Sequence, residues 1–384
     1  MEMRTIFNIC DYGAVGDGKT DCTRAIQTAL NLASECMGEV VVPPGVYKTG
    51  QVKMGPNTKL SGTSAWLFRD FGGSVFELND PDAVCMIDIT GAFGCHINGM
   101  SLCGCDLGEN IHGVYLSWPV YNGGSKEDTP TLDDCKIGRF SGDGVHLHHI
   151  WCYSVRHCML CFNGSAGLYM DGWDGFVIDN WFSANRRGGL LGGACTASVT
   201  ATGNRVEWNR VGGFVIPGGS CLNITGNYFD RSGGPALRLG TENAGVRDLT
   251  ITGNYFDRSG GPALRLGTEN AGVRDLTITG NIFYRSGKPG KGVETDEDSS
   301  HVFLQNVGNT VLSGNTFRVG RDDGGVGDWS PYYGVIAKHC DHVICRDNAM
   351  HESCLRQTIV WERENEDTNV VENNIGTPAT HTNA

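Results

Sequence analysis

The sequence predicts an all-β chain: a right-handed parallel β-helix, or solenoid, with an N-terminal capping helix. Three observations carry that expectation. The first is an exact repeat. Residues 224–250 and 251–277 are the same 27 residues, and Ile278-Thr279-Gly280-Asn281 begins the unit a third time. A chain accepts an insertion of that length only where the unit is self-contained and stacks on copies of itself. Identity over the whole unit marks a recent duplication or a coil copied by an engineer. The second is a looser repeat: an apolar residue, two small or polar residues, then Asn. Asn180, Asn204, Asn227, Asn254, Asn281, Asn315, Asn348 and Asn374 close this phrase, at steps of 24, 23, 27, 27, 34, 33 and 26. His157 and Asp134 extend the series upstream at steps of 23. The third is period-two alternation in the segments between, as in Gly144-Val-His-Leu, Gly167-Leu-Tyr-Met, Gly213-Phe-Val-Ile and Ala236-Leu-Arg-Leu. That period belongs to strands, not helices. Leucine-rich repeats have a similar length but need spaced leucines, which this chain lacks.

The elements follow in order. Asp21 to Cys36 is the one helical stretch, with Ala25, Ile26, Ala29, Leu30 and Ala33 on one stripe and Asp21 or Thr20 as the N-cap. Such a helix covers the unpaired edge of a first coil. We read a single β-helix domain over residues 1–384: cap 1–50, coils 51–376 and a polar tail 377–384. That length is large for one globular core, but a solenoid has no such limit. The Asn series predicts a ladder of side-chain amides along the stack. Three oversized units carry Asn122–Thr131, Ser286–Ser300 and Arg321–Pro331, which become loops along a binding face.

Composition narrows the function. A net charge of −13 argues against nucleic acid as a partner. An anionic glycan stays compatible, because Arg186, Arg187, Arg205, Arg210, Arg231 and Arg238 are dense for this chain. No apolar run is long enough for a membrane. No signal peptide opens the sequence, which leaves localisation open between cytoplasmic and secreted with the signal removed. Sixteen cysteines are scattered rather than set in a disulfide framework. Cys158 and Cys161 form a C-x-x-C near His148, His149, Cys152 and His157, a zinc-like composition. However, His157 and Cys158 already occupy repeat positions, so the reading is structural and no metal ligand is assigned.

The stretch from Asp11-Tyr-Gly-Ala-Val-Gly-Asp-Gly-Lys-Thr-Asp to Leu30, then Val40-Val-Val-Pro-Pro-Gly-Val-Tyr, resembles the opening of pectate-lyase-superfamily β-helix proteins. That group includes polygalacturonases, rhamnogalacturonases and phage tailspike depolymerases. The resemblance implies the fold and leaves the reaction open. The polygalacturonase motifs Asn-Thr-Asp, Gly-His-Gly and Arg-Ile-Lys are absent from the sequence. Val302–Met350 is similar to the late coils of inulin fructotransferases, through Ser313-Gly-Asn, Gly320-Arg-Asp-Asp-Gly, Tyr332-Tyr-Gly-Val-Ile and Cys345-Arg-Asp-Asn. That similarity implies a pair of acids and a trimer. Glu242 matches one acid, but Pro235 and Ala236 stand where the other would be.

Strands after each turn should share one sheet, with one outward residue per coil at about 4.8 Å spacing. Alternation then aligns Tyr115; His146 and His148; Tyr169 and Asp171; Val215; Arg238; Arg265; and Glu294 and Asp296. Acids, histidines and aromatics on adjacent coils suit glycan cleavage, where carboxyl groups protonate a leaving oxygen and activate water. The expected catalytic residues are Asp171, Asp174, His146 and His148. Tyr115, Tyr169, Trp173, Arg238 and Trp329 are the expected substrate contacts, since rings stack on sugar faces. Asp143 and Asp174 precede glycines and also suit plain turns. Glu207-Trp208-Asn209 reads as a surface turn. No cofactor is expected, calcium at Glu294, Asp296, Glu297 and Asp298 being the one possibility. The leading function is a carbohydrate-active enzyme, a glycoside hydrolase working on a poly- or oligosaccharide by carboxylate acid/base catalysis. Its alternatives are a noncatalytic or engineered scaffold or glycan-binding protein, and an inulin fructotransferase-like enzyme or polysaccharide lyase. A monomer and a homotrimer both fit.

Overall fold

A computed structural model describes residues 5–121, 126–241, 244–287, 295–319, 330–362 and 366–378. Trp329, Glu242, Glu294, Asp322, Asp323 and Asp328 lie outside them. The chain forms two compact units, Met1–Leu190 and Leu191–Ala384, each built of parallel β-helix coils.

In the first unit, α1 (Thr23–Glu35) buries Ala25, Ile26, Ala29, Leu30 and Ala33. It packs on the first strands, Ile6–Asn8, Glu39–Val41 and Val52–Lys53. The N-cap is Cys22, which makes no side-chain cap bond, rather than Asp21 or Thr20. Asp21 instead takes the Thr23 N–H at 3.1 Å from one position further out. Three parallel ladders build each coil. One runs Gly45–Thr49, Ser74–Leu78, Ser101–Cys103, Lys136–Gly138, Met159–Cys161 and Trp181–Ser183. A second runs from Val52–Lys53 through Cys85–Asp88 to β1 (His112–Ser117) and the first halves of β2 (Val145–Arg156) and β3 (Ala166–Ile178). The third ends on the second halves of β2 and β3. Alternation holds along the second ladder: Val145 and Leu147 are buried, while His146 and His148 are half-buried.

The Cys-x-x-Cys pair also points inward, as the repeat position implied. Cys158 and Cys161 are both buried, and burial pushes the Cys161 thiol up to about 11. No metal-ligand group among the described residues includes either.

In the second unit, the duplicated copies are consecutive coils in identical register. Tyr228 pairs with Tyr255, Arg238 with Arg265 and Val246 with Val273. Phe229, Phe256 and Phe283 stack inside at 5.0 and 5.1 Å. The Asn ladder forms: each backbone N–H from Asn204 to Asn348 donates to the next asparagine's Oδ1, at 2.9–3.2 Å. Stacked like charges are managed by neighbours. Arg265 lies 3.5 Å from Asp298 and 4.1 Å from the Phe303 ring centroid. The acidic run after residue 294 faces cations of its own chain: Arg356 meets Asp296 at 2.9 Å and Lys338 meets Glu297 at 2.5 Å.

The duplication also repeats a buried carboxylate. Asp230 and Asp257 are 2% and 3% exposed. Arg258 bridges them at 3.1 and 2.8 Å, and Arg285 meets Asp257 at 3.0 Å. Burial, with the charge of Asp230, outweighs Arg285 and Arg231 and pushes the Asp257 carboxyl up to about 6. Deleting residues 251–277 should therefore give a folded protein, because Thr250 and Thr277 both precede Ile-Thr-Gly-Asn and the junction is seamless. The sign of its pH dependence follows from the raised carboxyl. A folded-state value above the unfolded one stabilises most below about pH 4, and that share is lost as pH rises through about 6. Urea unfolding of both forms at pH 4 and pH 7 should show the added coil contributing less at pH 7. Insolubility of the deleted form, or a contribution that grows with pH, would contradict this.

Candidate active site

The site begins with the second ladder of the first unit. Register places Asp88, Tyr115, His146 and Tyr169 in one outward column, and Ser117, His148 and Asp171 in the next. The His146 ring stacks between Tyr115 at 5.1 Å and Tyr169 at 4.6 Å, each at 15°.

Asp143 lies behind this column and is 5% exposed. Its Oδ2 is 2.8 Å from His146 Nδ1, and its Oδ1 accepts the Ala166 N–H at 2.8 Å. The Asp143 N–H donates to Nδ1 of buried His112 at 3.1 Å. Burial alone would raise this carboxyl. Its contacts with His112, His146, Ala166 and Ser165 outweigh burial and hold it far below the usual carboxylate range. An ionised Asp143 fixes the proton of His146 on Nδ1 and leaves the Nε2 lone pair at the ring edge as a base. Burial, with the charges of Asp171 and Asp143, pushes the Tyr169 phenol up to about 12, so it stays a proton donor. Burial first and then His149 hold His148 below the ordinary histidine range.

Beyond His148 the strand bulges. His148 pairs with Asp171 and Ile150 with Gly172, which leaves His149 as the extra residue, at φ 57°. Successive strand residues normally face opposite sides, and a bulge cancels that alternation. His149 thus stacks on His148 at 3.8 Å. Position 172 has to be glycine, since a Cβ there would lie 1.9 Å from the Ile150 carbonyl oxygen. Tyr121 closes this end: its hydroxyl donates to Asp171 Oδ1 at 3.3 Å, and its ring stacks on Trp173 at 4.3 Å.

The structure therefore brings together six of the residues expected from sequence: Tyr115, His146, His148, Tyr169, Asp171 and Trp173. Asp174 turns away. Its Oδ2 accepts from Trp151 Nε1 at 2.9 Å, at the lip of a separate cavity of about 210 Å³ lined by Pro130, Cys152 and Phe176. Arg238 belongs to the second unit, between Val215 and Arg265, and Trp329 lies outside the described residues. Asp143 stood among the functional residue types of this region in the sequence, with a plain turn as its other reading, and His112 and Tyr121 were not singled out. His112 sits on the strand that holds Tyr115, which was the one available hint.

Fold and column together define a parallel β-helix protein with a His–Tyr–Asp cluster on one outer face. The family described as "Right handed beta helix region" matches residues 87–254 and 143–306, and the chain belongs to that family. The "Rhamnogalacturonase A/epimerase, pectate lyase-like" family matches residues 6–69. Mannuronan C5-epimerase AlgE5 of Azotobacter vinelandii is 28% identical over 238 residues, 56% of this chain and 23% of that protein. This chain thus spans about a quarter of that relative's length. Among solved structures, the A-module of the Azotobacter vinelandii mannuronan C-5 epimerase AlgE4 superposes with a TM-score of 0.73 at 18% identity, covering 95% of this chain and all of that one. The catalytic unit of a GH87 α-1,3-glucanase from Streptomyces thermodiastaticus gives 0.58 at 16% identity, covering 97% and 71%. These likenesses concern the fold. Among the described residues no helix is long and apolar enough to cross a membrane.

Proposed function

We propose that the chain is an enzyme acting on a uronate-containing poly- or oligosaccharide by moving a proton at a sugar carbon. His146 is the base, Asp143 orients it, and Tyr169 is the proton donor. The observation that carries this reading is the 2.8 Å contact between Asp143 and His146 Nδ1, beneath a column of stacked rings. The substrate class draws support from the relative named as a mannuronan C5-epimerase.

Glycoside hydrolysis by a carboxyl pair fits this face less well. Such a pair lies roughly 5–9.5 Å apart. Asp88 and Asp171 stand three coils apart on this ladder, roughly 14 Å at strand spacing. Asp143 is buried and held ionised, which suits an orienting anion rather than an acid. A histidine base has easier work next to a carboxylate. The hydrogen on C5 of a uronate is acidified by its neighbour, and a base can remove it. Return of a proton to the opposite face gives the epimer. Departure of the oxygen on C4 instead cleaves the glycosidic bond and leaves a C4–C5 double bond.

A panel of polymannuronate, polygalacturonate, glucans and fructans tests the reading, with NMR for epimers, ultraviolet absorbance for unsaturated ends and a reducing-end assay. Epimers or unsaturated ends from a polyuronate are expected. Reducing ends from a neutral glycan without unsaturation would replace the proposal with hydrolysis. Binding without any product would replace it with a glycan-binding role.

A further inference from the structure

We propose that His148, His149 and Asp171 form a binding site for one divalent transition-metal ion of the zinc or cobalt type. The inference stands on these residues and does not rest on the sugar chemistry above. One ligand atom from each residue lies within 4.8 Å of the other two. His148 Nε2 and Asp171 Oδ2 are 3.9 Å apart, too far for a hydrogen bond. Two ligands held at about 2.0–2.2 Å from one ion stand roughly 3–4 Å apart, so His148 and Asp171 already span an ion, and rotation of the His149 ring out of its 3.8 Å stack on His148 would bring in the third lone pair.

The second observation is how each ligand is held. His149 Nδ1 is 2.8 Å from the Trp118 carbonyl, so it carries the proton and leaves Nε2 with a lone pair. His148 Nδ1 contacts Ser117 Oγ at 3.2 Å, which leaves Nε2 toward Asp171. Asp171 Oδ1 accepts from Tyr121. Each of the three ligands thus has its far atom tied to a carbonyl or hydroxyl, the outer-shell pattern that orients metal ligands and fixes their tautomers. The third observation is the bulge. Without it His149 would point to the opposite face. Two imidazoles and one carboxylate suit zinc and its neighbours rather than calcium. His112, Asp143 and His146 also cluster, but there the Asp143 N–H and carboxylate already occupy Nδ1 of the two histidines.

The ion would sit beside the base, since the His146 and His148 rings are 6.4 Å apart. There it would take an anionic sugar substituent such as a carboxylate as a further ligand.

Titration of the EDTA-treated protein with Co²⁺, followed by visible absorption, tests the site. One equivalent should bind with a nitrogen- and oxygen-ligand spectrum and no thiolate charge-transfer band. His149→Gln and Asp171→Asn should each weaken binding at least about a hundredfold, and Ser117→Ala about tenfold. His146→Gln should leave the affinity unchanged. Absence of saturable binding, a thiolate band, or unchanged affinity in both ligand variants would overturn the proposal. If neither ligand variant folds, Ser117→Ala decides: undiminished affinity there would overturn it too.

Discussion

A His146→Gln variant should lose about a thousandfold in turnover of a polyuronate and still unfold at nearly the parent temperature. Glutamine retains a donor for Asp143, so the buried carboxylate keeps a partner. It has no lone pair of useful basicity to replace Nε2. Asp143→Asn should lose activity on a similar scale, because a neutral amide no longer fixes the tautomer of His146. The double variant should be little worse than either single one, since the two residues act as a unit. Asp174→Asn is the contrast. Its carboxylate is committed to Trp151, and turnover should stay within a few-fold of the parent. Steady-state kinetics of the four variants, each checked by circular dichroism, read the whole set. A His146→Gln variant with parental turnover would remove histidine from the chemistry.

Asn254→Ala should lower stability by about 4 kcal/mol. Asn254 is 1% exposed. Its Oδ1 accepts the N–H and Nδ2 of Asn227 at 2.9 and 3.0 Å, and its Nδ2 donates to the Ile224 carbonyl at 2.9 Å. Alanine removes the side-chain amide and leaves the Asn227 N–H without that acceptor and the Ile224 carbonyl without that donor in a dry interior. A buried polar group left unsatisfied costs about 1–3 kcal/mol, and at least two are exposed at once. The Asn254→Asp variant, which keeps an acceptor and loses the donor, should fall between. Urea unfolding monitored in the second unit measures both. A loss below about 1 kcal/mol for alanine would mean the ladder contributes shape but little energy.

Much of the fold was legible because a solenoid writes its period into the chain. The copied unit, the Asn phrase and the alternation around Gly144 and Gly167 each correspond to an observed coil feature. Alternation also placed Tyr115, His146, His148, Tyr169 and Asp171 on one face. What it did not reach depends on backbone that departs from a regular strand. His149 joins that face only through a bulge at φ 57°, and a non-glycine residue in that conformation leaves no trace in composition. Asp143 read both as one of the functional types near this face and as a turn residue, and the sequence did not choose between them. Its role arises from burial and from His146 three positions on, which spacing alone does not reveal. Tyr121 comes from a loop, where periodicity says nothing. Asp174 lies on the same strand as Asp171, and its carboxylate meets Trp151, a partner that alternation does not reveal.

The most direct test of the central claim is deuterium wash-in. Polymannuronate incubated with the protein in D₂O, then recovered and read by NMR, reports whether a carbon-bound hydrogen has exchanged. Deuterium is expected at C5 of epimerised residues or, where the C4 oxygen departs instead, unsaturated ends whose C5 has lost its hydrogen, and His146→Gln should abolish both products. Turnover that gives neither deuterium on carbon nor unsaturated ends, or either product persisting in His146→Gln, would contradict a proton transfer at C5 by His146.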